Sequence, residues 1–489
     1  MSLKYASVME KFFEEMTETT EKRTVNEAVR LSLEPMRRRA GELYRRIGDP
    51  WRGMKVFHVA GTNGKGAISS YLTHILCSAG HKVGWYTSPY LERFNERIRI
   101  FDDPSDLLLY GQDMPVGEIP DETIERLMEP IREAGRAVMS ETGVQPSQFD
   151  YITALAFSWY AEEECDVVVL ETGLGGRLDS TNIVESPLAS ILSSLGYDHM
   201  DRLGNCIEEI MWEKAGIIKD DCPVFAYDPR SSLISKEDAD AARGVLERMS
   251  RVHRAPLTYL GYDDITVLTY SLDGQTFQFN PTGNVYETKL LGVYHPIYAM
   301  LAAEAVRSAG LADETAIREG VACTIWPGRL EVLLRSPLFL LDGAHNWQAG
   351  LALEKTVARL TQGTTPVIFL VGTFRDKDYR HMLQAVLQSD RYSIEAFVAT
   401  EPPSERRLSA FQLKEEAEKL LATSRSRGAC VEADPFVERA MERALRLAGE
   451  KGAIVCAFGS LYLAGEIKTL MRAHTAKSRE ARIDDQEDL

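Results

Sequence analysis

Short apolar runs rich in Val, Ile and Phe recur along the chain, at 54–60, 82–86, 166–171, 188–193, 338–342, 367–371, 394–399 and 453–458, with helical periodicity between them. Runs of this length that alternate with helices predict βαβ units and a largely parallel sheet covered on both faces. The more polar stretch from about Ser231 to Asn284, broken by GYDD, LDG and PTG, predicts instead a helix followed by antiparallel hairpin strands, an appended subdomain. Around Trp326-Pro327-Gly328-Arg329 a helical segment ends in Pro-Gly and a second strand-helix alternation begins, which places a domain boundary there. The expectation is an α/β protein with a larger N-terminal domain over 1–326, a smaller C-terminal α/β domain over 327–474, and a flexible tail over 475–489 that is nearly free of apolar residues.

Composition narrows the classes. With 44% hydrophobic and 26% charged residues the chain has globular proportions. The balance of 56 Lys+Arg against 73 Asp+Glu leaves a net charge of −17, which repels a phosphate backbone and argues against nucleic acid as a partner. The short basic clusters Arg37-Arg38-Arg39 and Arg45-Arg46 read as solvated helix faces. Seven dispersed cysteines without a CxxC pair imply reduced, buried thiols, with neither a disulfide framework nor a zinc site. No run approaches 18 apolar residues and the N-terminus is too charged for a signal-peptide core, so the expected location is the cytoplasm, with no membrane contact.

Candidate chemistry begins at MKVFHVAGTNGKGAISSYLTHIL, an apolar strand running into a Gly-rich turn, then Lys65, then an amphipathic helix to about Ala79. Backbone N–H groups of such a turn, with the positive end of the helix dipole, cradle phosphate oxygens, and the lysine reaches the β and γ phosphates. The match to G-x-x-x-x-G-K-[ST] is incomplete: Val59 holds the first glycine position, and Gly66 and Ala67 follow Lys65. A triphosphate requires magnesium, which takes hard oxygen ligands. Glu171 ends the run DVVVLE at the carboxyl edge of the expected sheet and is the first metal candidate, followed by a glycine loop through Asp179. His199 lies at the same edge after LASILSS, between Asp198 and Asp201. Ile207, Ile210, Met211 and Lys214 form an i, i+3, i+4, i+7 stripe ending in a lysine. Desolvation would make that amine nucleophilic, although the stripe alone favours a lysine snorkelling to solvent. In the second half, Asp342-Gly343-Ala344-His345-Asn346 again puts polar residues at the end of a strand, and Arg329 sits at the domain junction.

Taken together, HVAGTNGKG (58–66), TSPYLERFNERI (87–98), FDYITALAF (149–157), VLETGLGGRLDSTN (169–182), YDHMDRLGN (197–205), EKAGIIK (213–219), WPGRLE (326–331), DGAHN (342–346), RDKD (375–378) and GSLYLAGEI (459–467) span about 410 of 489 residues. In this order they resemble the folylpolyglutamate synthase/dihydrofolate synthase family, a branch of the Mur ligase superfamily. The resemblance implies an N-terminal P-loop-type ATPase domain of the Mur ligase central type and a C-terminal Rossmann-like domain of the glutamate ligase type. It implies ATP-dependent amide formation, in which a folate or pteroate carboxylate becomes an acyl phosphate that the amine of L-glutamate attacks, in a protein that is usually monomeric. It assigns Gly61, Thr62, Asn63, Gly64, Lys65 and Gly66 to the phosphates, Ser88, Glu171 and His199 to Mg²⁺, and Arg329 to the γ-phosphate. Asp342 and His345 would meet the nucleotide from the second domain, and Lys214 matches the family's carbamylated lysine.

Departures from the family pattern define a second hypothesis. Ala67 stands where Ser or Thr is usual, Tyr90 stands within SPYL where the family has SPHL, and His295-Pro296-Ile297-Tyr298-Ala299 lacks the amides that normally help hold the nucleotide. Residues 101–121 are longer and more acidic than the usual connection and suggest a lid or partner surface. A catalytically degenerate ATP-binding regulatory protein would explain these changes. Retention of Lys65, Ser88, Glu171, His199, Lys214 and Arg329 favours the ligase.

Overall fold

The computed structural model describes the backbone of residues 33–487 and side chains from 40 to 475. The charged N-terminal stretch and the side chains of Arg37, Arg38 and Arg39 lie outside the described residues. Arg45 and Arg46 sit in the helix Leu33–Arg46, where both pair with Glu42.

The chain divides into two compact units. The first comprises the chain to Thr266 together with Phe279–Tyr286 and Ile297–Thr324; the second comprises Val267–Gln278, Glu287–Pro296 and the chain from Ile325. The main division thus falls at 324/325, and the second unit also takes two earlier segments, one within the stretch read in sequence as an appended subdomain and one just after it.

The first unit is built on a seven-stranded sheet of β1 (Val56–Ala60), β2 (Val83–Tyr86), β3 (Ile98–Phe101), β4 (Val167–Glu171), β5 (Ala189–Leu192), β6 (Val224–Tyr227) and β7 (Leu257–Leu260). Its order is β3-β2-β4-β1-β5-β6-β7, parallel except for the antiparallel edge pair β2/β3. Every residue of β1, β4 and β5 is buried, as expected of central strands covered on both faces. Val59 pairs with Glu171 and Ala60 with Leu192, so the carboxyl ends of these three strands lie side by side. Residues 101–121 are stitched along β3: Ile100 N donates to Gly117 O, Ile119 N to Ile98 O, and Glu118 pairs with Arg93 and Arg99.

One expectation about a helix is corrected. The helix Lys65–Ser78 is not amphipathic but buried on all sides from Gly66 to Cys77. The helix Glu314–Cys323 packs on it so closely that a Cβ at Gly320 would stand 2.4 Å from Ile75 Cα. The cysteines also differ from expectation, because Cys206 and Cys430 are exposed while Cys77 and Cys456 are buried.

A three-stranded sheet of β8 (Ile265–Ser271), β9 (Gly274–Phe279) and β10 (Asn284–Thr288) has the order β10-β9-β8. The second unit carries a six-stranded sheet of β11 (Glu331–Arg335), β12 (Leu338–Leu341), β13 (Val367–Val371), β14 (Ile394–Ala399), β15 (Cys430–Ala433) and β16 (Ile454–Phe458), ordered β11-β12-β16-β13-β14-β15. Only the edge pair β11/β12 is antiparallel, which gives the Rossmann-like alternation. The closing helix Leu461–Glu487 runs through most of the stretch expected to fray.

Candidate active site

From the end of β1 the chain turns through Gly61, Thr62, Asn63 and Gly64 into the helix Lys65–Ser78. Two glycines are required here. Gly61 has φ 150° and a Cβ there would lie 1.8 Å from Ser193 Oγ, while Gly64 has φ 92° and a Cβ there would lie 2.3 Å from the Tyr298 ring. Not every backbone donor of the turn is available to an anion. The N–H groups of Thr62 and Asn63 donate to Ser194 O at 3.0 and 3.3 Å, and Thr62 Oγ1 donates to Gly196 O at 3.0 Å while accepting from Gly196 N at 3.1 Å. The candidate anion donors are therefore the N–H groups that open the helix, at Lys65, Gly66 and Ala67. Ile68, bonded to Gly64 O at 2.9 Å, is the first with an acceptor four residues back. Ala67 thus still offers a backbone N–H although it lacks a hydroxyl.

Two lysines converge on this turn. Lys65 Nζ donates to Gly61 O at 3.2 Å, and Lys214 Nζ donates to the same oxygen at 2.8 Å. Lys214 is only 4% exposed, so it does not snorkel. Burial, then the neighbouring charge of Lys65, pull its pKa down to about 7, with Asp198 opposing. Two lysine amines on one carbonyl oxygen favour an anion beside them, and the lowered pKa of Lys214 reflects its burial together with their mutual repulsion.

Lys214 is held by its own helix and by the glycine loop. In the helix Ile207–Ala215 the stripe of Ile207, Ile210, Met211 and Lys214 is buried throughout. Arg177 N donates to Glu213 O at 2.7 Å, its guanidinium pairs with the Glu213 carboxylate at 2.8 Å, and Asn182 Nδ2 donates to Gly216 O at 3.0 Å. The loop itself is tied by the half-buried Asp179, which accepts from Leu174 N at 2.9 Å, Thr181 N at 3.0 Å and Thr181 Oγ1 at 2.6 Å. Thr181 Oγ1 in turn lies 2.9 Å from Nε2 of His58 on β1, whose pKa burial lowers to about 3.

Of the magnesium candidates, Glu171 is 3% exposed at the end of β4, and its Oε2 lies 3.5 Å from Ser88 N just beyond β2. His199 caps the short helix Met200–Leu203 with φ 52°, is about half exposed, and lies 3.9 Å from the Asp198 carboxylate. Among the described residues no group of three or more His, Cys, Asp and Glu forms a metal cage. The buried Glu171 carboxylate beside Ser88 has the oxygen-donor chemistry that magnesium takes when it arrives with phosphate oxygens and keeps its waters.

In the second unit, Asp342 follows β12 and is buried; its Oδ2 accepts from Leu330 N at 2.9 Å and its Oδ1 from Ala344 N at 2.7 Å. Burial raises its pKa, with Arg329 opposing. The Arg329 guanidinium lies against Gly343, where a Cβ would be 2.3 Å from Nη1. His345 Nδ1 is 2.8 Å from Gly343 O, and Asn346 caps the helix Trp347–Thr361 by accepting from Ala349 N. The expected residues Arg329, Asp342 and His345 are thus joined through one short turn.

Sequence reasoning assigned no role to Ser194 or Asp179 and named Tyr298 only within a departure from the family pattern. The serine pair at the carboxyl end of the run LASILSS was the available signal for Ser194. Tyr298 belongs to the first unit, and its hydroxyl lies 2.9 Å from Ser194 Oγ. Tyr90, the other aromatic departure, stands at the surface with its ring under the Arg97 guanidinium at 5.2 Å.

A parallel sheet whose central strand opens into a glycine turn, a helix N-terminus and two converging lysines defines a nucleotide-phosphate-binding α/β protein. The family model described as dihydrofolate synthetase, C-terminal domain, matches residues 334–472. The chain is 35% identical over 368 residues to the dihydrofolate synthase/folylpolyglutamate synthase of Bacillus subtilis, covering 73% of this chain and 79% of that one. It is 33% identical to the Escherichia coli protein of the same name, covering 66% and 68%. Among solved structures, E. coli FolC in complex with DHPP and ADP matches with a TM-score of 0.73 at 27% identity, over 96% of this chain and 99% of that chain. The folylpolyglutamate synthase of Thermotoga maritima matches with a TM-score of 0.72 at 26% identity, over 95% and 97%. The chain belongs to the dihydrofolate synthase/folylpolyglutamate synthase family.

Proposed function

We propose that this protein is an ATP-dependent ligase that joins a folate or pteroate carboxylate to the amine of L-glutamate, as folylpolyglutamate synthase with or without the dihydrofolate synthase reaction. The observation that carries the reading is the convergence of Lys65 and Lys214 on Gly61 O beside the free helix N-terminus. In the reaction the carboxylate attacks the γ-phosphate, ADP leaves, and the glutamate amine displaces phosphate from the acyl phosphate to form the amide. The N–H groups of Lys65, Gly66 and Ala67 hold phosphate oxygens, and Lys65 neutralises charge as the phosphoryl group moves. Glu171, Ser88 and His199 are the residues proposed to hold magnesium, which when bound screens the charge of the phosphates. Lys214, with its amine near neutrality, is proposed to take up carbon dioxide as a carbamate, releasing one proton. Arg329 and His345 are proposed to serve the nucleotide, with Asp342 fixing the turn that carries both. No described helix is long and apolar enough to cross a membrane. We place the protein in the cytoplasm as a monomer acting on small molecules, and light scattering at working concentration tests the oligomeric state. The ligase is tested by ADP release with Mg-ATP: release that needs both L-glutamate and a pterin substrate supports it, and tight ATP binding without such turnover favours the regulatory alternative.

A further inference from the structure

Tyr298 is buried and its ring fills the space in which any side chain at Gly64 would stand. Its hydroxyl lies 2.9 Å from Ser194 Oγ and 3.4 Å from Asn63 O. Ser194 Oγ donates to the same Asn63 carbonyl at 3.0 Å, while Ser194 O accepts the N–H groups of Thr62 and Asn63. Each hydroxyl has one proton and both are aimed at Asn63 O, so the proton between Tyr298 and Ser194 can come from either while the other hydroxyl holds the carbonyl. Burial raises the Tyr298 pKa, which keeps the tyrosine proton in place at neutral pH. The ring also packs against Tyr227, with centroids 5.6 Å apart.

A planar trans peptide points its N–H opposite to its C=O. Holding the Asn63 carbonyl toward Ser194 and Tyr298 therefore turns the Gly64 N–H away from them, to join the donors of Lys65, Gly66 and Ala67. We infer that Tyr298 is a positioning residue for nucleotide binding, which through Ser194 and Asn63 sets the phosphate-binding turn in its anion-accepting form before the nucleotide arrives. This inference rests on the assignment of the turn to ATP. It also gives a physical reason for nucleotide affinity in a chain whose 295–299 segment lacks the usual amides: rigidity of the turn, supplied from behind, lowers the ordering cost of binding.

The test is calorimetric titration of the purified full-length protein with Mg-ADP, beside thermal melting and steady-state kinetics. Tyr298→Phe keeps the ring and removes only the hydroxyl. It is expected to weaken ADP binding about fivefold, the order that one neutral hydrogen bond supplies. KM for ATP should rise by the same factor, with kcat and KM for glutamate unchanged. Ser194→Ala, which removes a small hydroxyl and provides a test if Tyr298→Phe folds poorly, should weaken ADP binding at least as much. The double variant should resemble Ser194→Ala alone and fall well short of the product of the two single effects. Wild-type affinity in Tyr298→Phe, multiplicative effects, or equal losses in all kinetic constants would overturn the inference. Failure of the wild-type protein to bind ADP would instead remove the assignment on which it rests.

Discussion

Lys214 is buried, and its neighbours make the sign of its pH behaviour calculable. Lys214→Ala is expected to lower ligase turnover by at least about a hundredfold, the order lost with one preorganised electrostatic group, while leaving ADP affinity within a few-fold; equal turnover in the variant would remove the lysine from the reaction. The pH dependence follows from its pKa of about 7 in the folded chain, well below the ordinary lysine value. Between those two values the unfolded chain binds a proton that the folded chain does not, so stability rises with pH across the window, and below about pH 7 the full cost of charging the buried amine is present. Urea unfolding of wild type and Lys214→Met should show a difference that shrinks on going from pH 7 to pH 9, whereas a constant difference would mean an ordinary lysine. The stripe Ile207, Ile210, Met211, Lys214 was legible in the sequence, but its meaning was not: snorkelling and burial leave the same spacing. What decides between them is the loop that closes over the helix end, with Arg177 on Glu213 and Asn182 on Gly216 O, contacts between segments about 35 residues apart.

At the scale of elements, the turn 61–64 and the loop 172–182 are where local geometry becomes function. Gly64→Ala would force a side chain into a left-handed backbone and into the Tyr298 ring, at an expected cost of about 2–4 kcal/mol from strain and overpacking, seen as a lowered melting temperature together with lost ADP binding. Asp179→Ala would leave Leu174 N and the Thr181 donors without their shared acceptor, an expected loss of about 2–3 kcal/mol measurable by denaturant unfolding. All eight apolar runs became strands, because central parallel strands are hydrophobic without interruption and so announce themselves. The strands that were not read, such as β3, β6, β7, β11 and β15, are mostly four-residue segments at or near sheet edges, where little apolar sequence is needed and tertiary pairing decides. The helix Lys65–Ser78 was read as amphipathic for a related reason: Ser69, Ser70, Thr73 and His74 look like a polar face, but the structure buries all four. The chemistry-bearing ends of β1, β4 and β5 were legible because each polar residue follows directly on an apolar run. Tyr298 was not, because its partners are about 100 and 235 residues away in sequence.

For the whole molecule, the second unit is not a single stretch of chain. Within it the Tyr270 hydroxyl donates to Leu291 O at 2.7 Å, the Arg359 guanidinium lies 4.3 Å from the centre of the Tyr270 ring, and Leu291 belongs to the same core as Leu340 and Phe369. A fragment beginning at Ile325 lacks Tyr270 and Leu291, and burial of side chains of this size is worth about 2–3 kcal/mol each. It is therefore expected to melt at lower temperature and less cooperatively than the same unit in the full chain, as heat-capacity scanning of both would show; equal melting would mean the two earlier segments contribute nothing. The central claim concerns the reaction, and ADP release by the purified full-length protein with Mg-ATP and L-glutamate, comparing dihydropteroate, tetrahydrofolate and no pterin, tests it most directly. The account expects release that requires glutamate and at least one of the two pterins together, with the responding pterin separating one activity from two. Nucleotide binding without pterin-dependent release would contradict it.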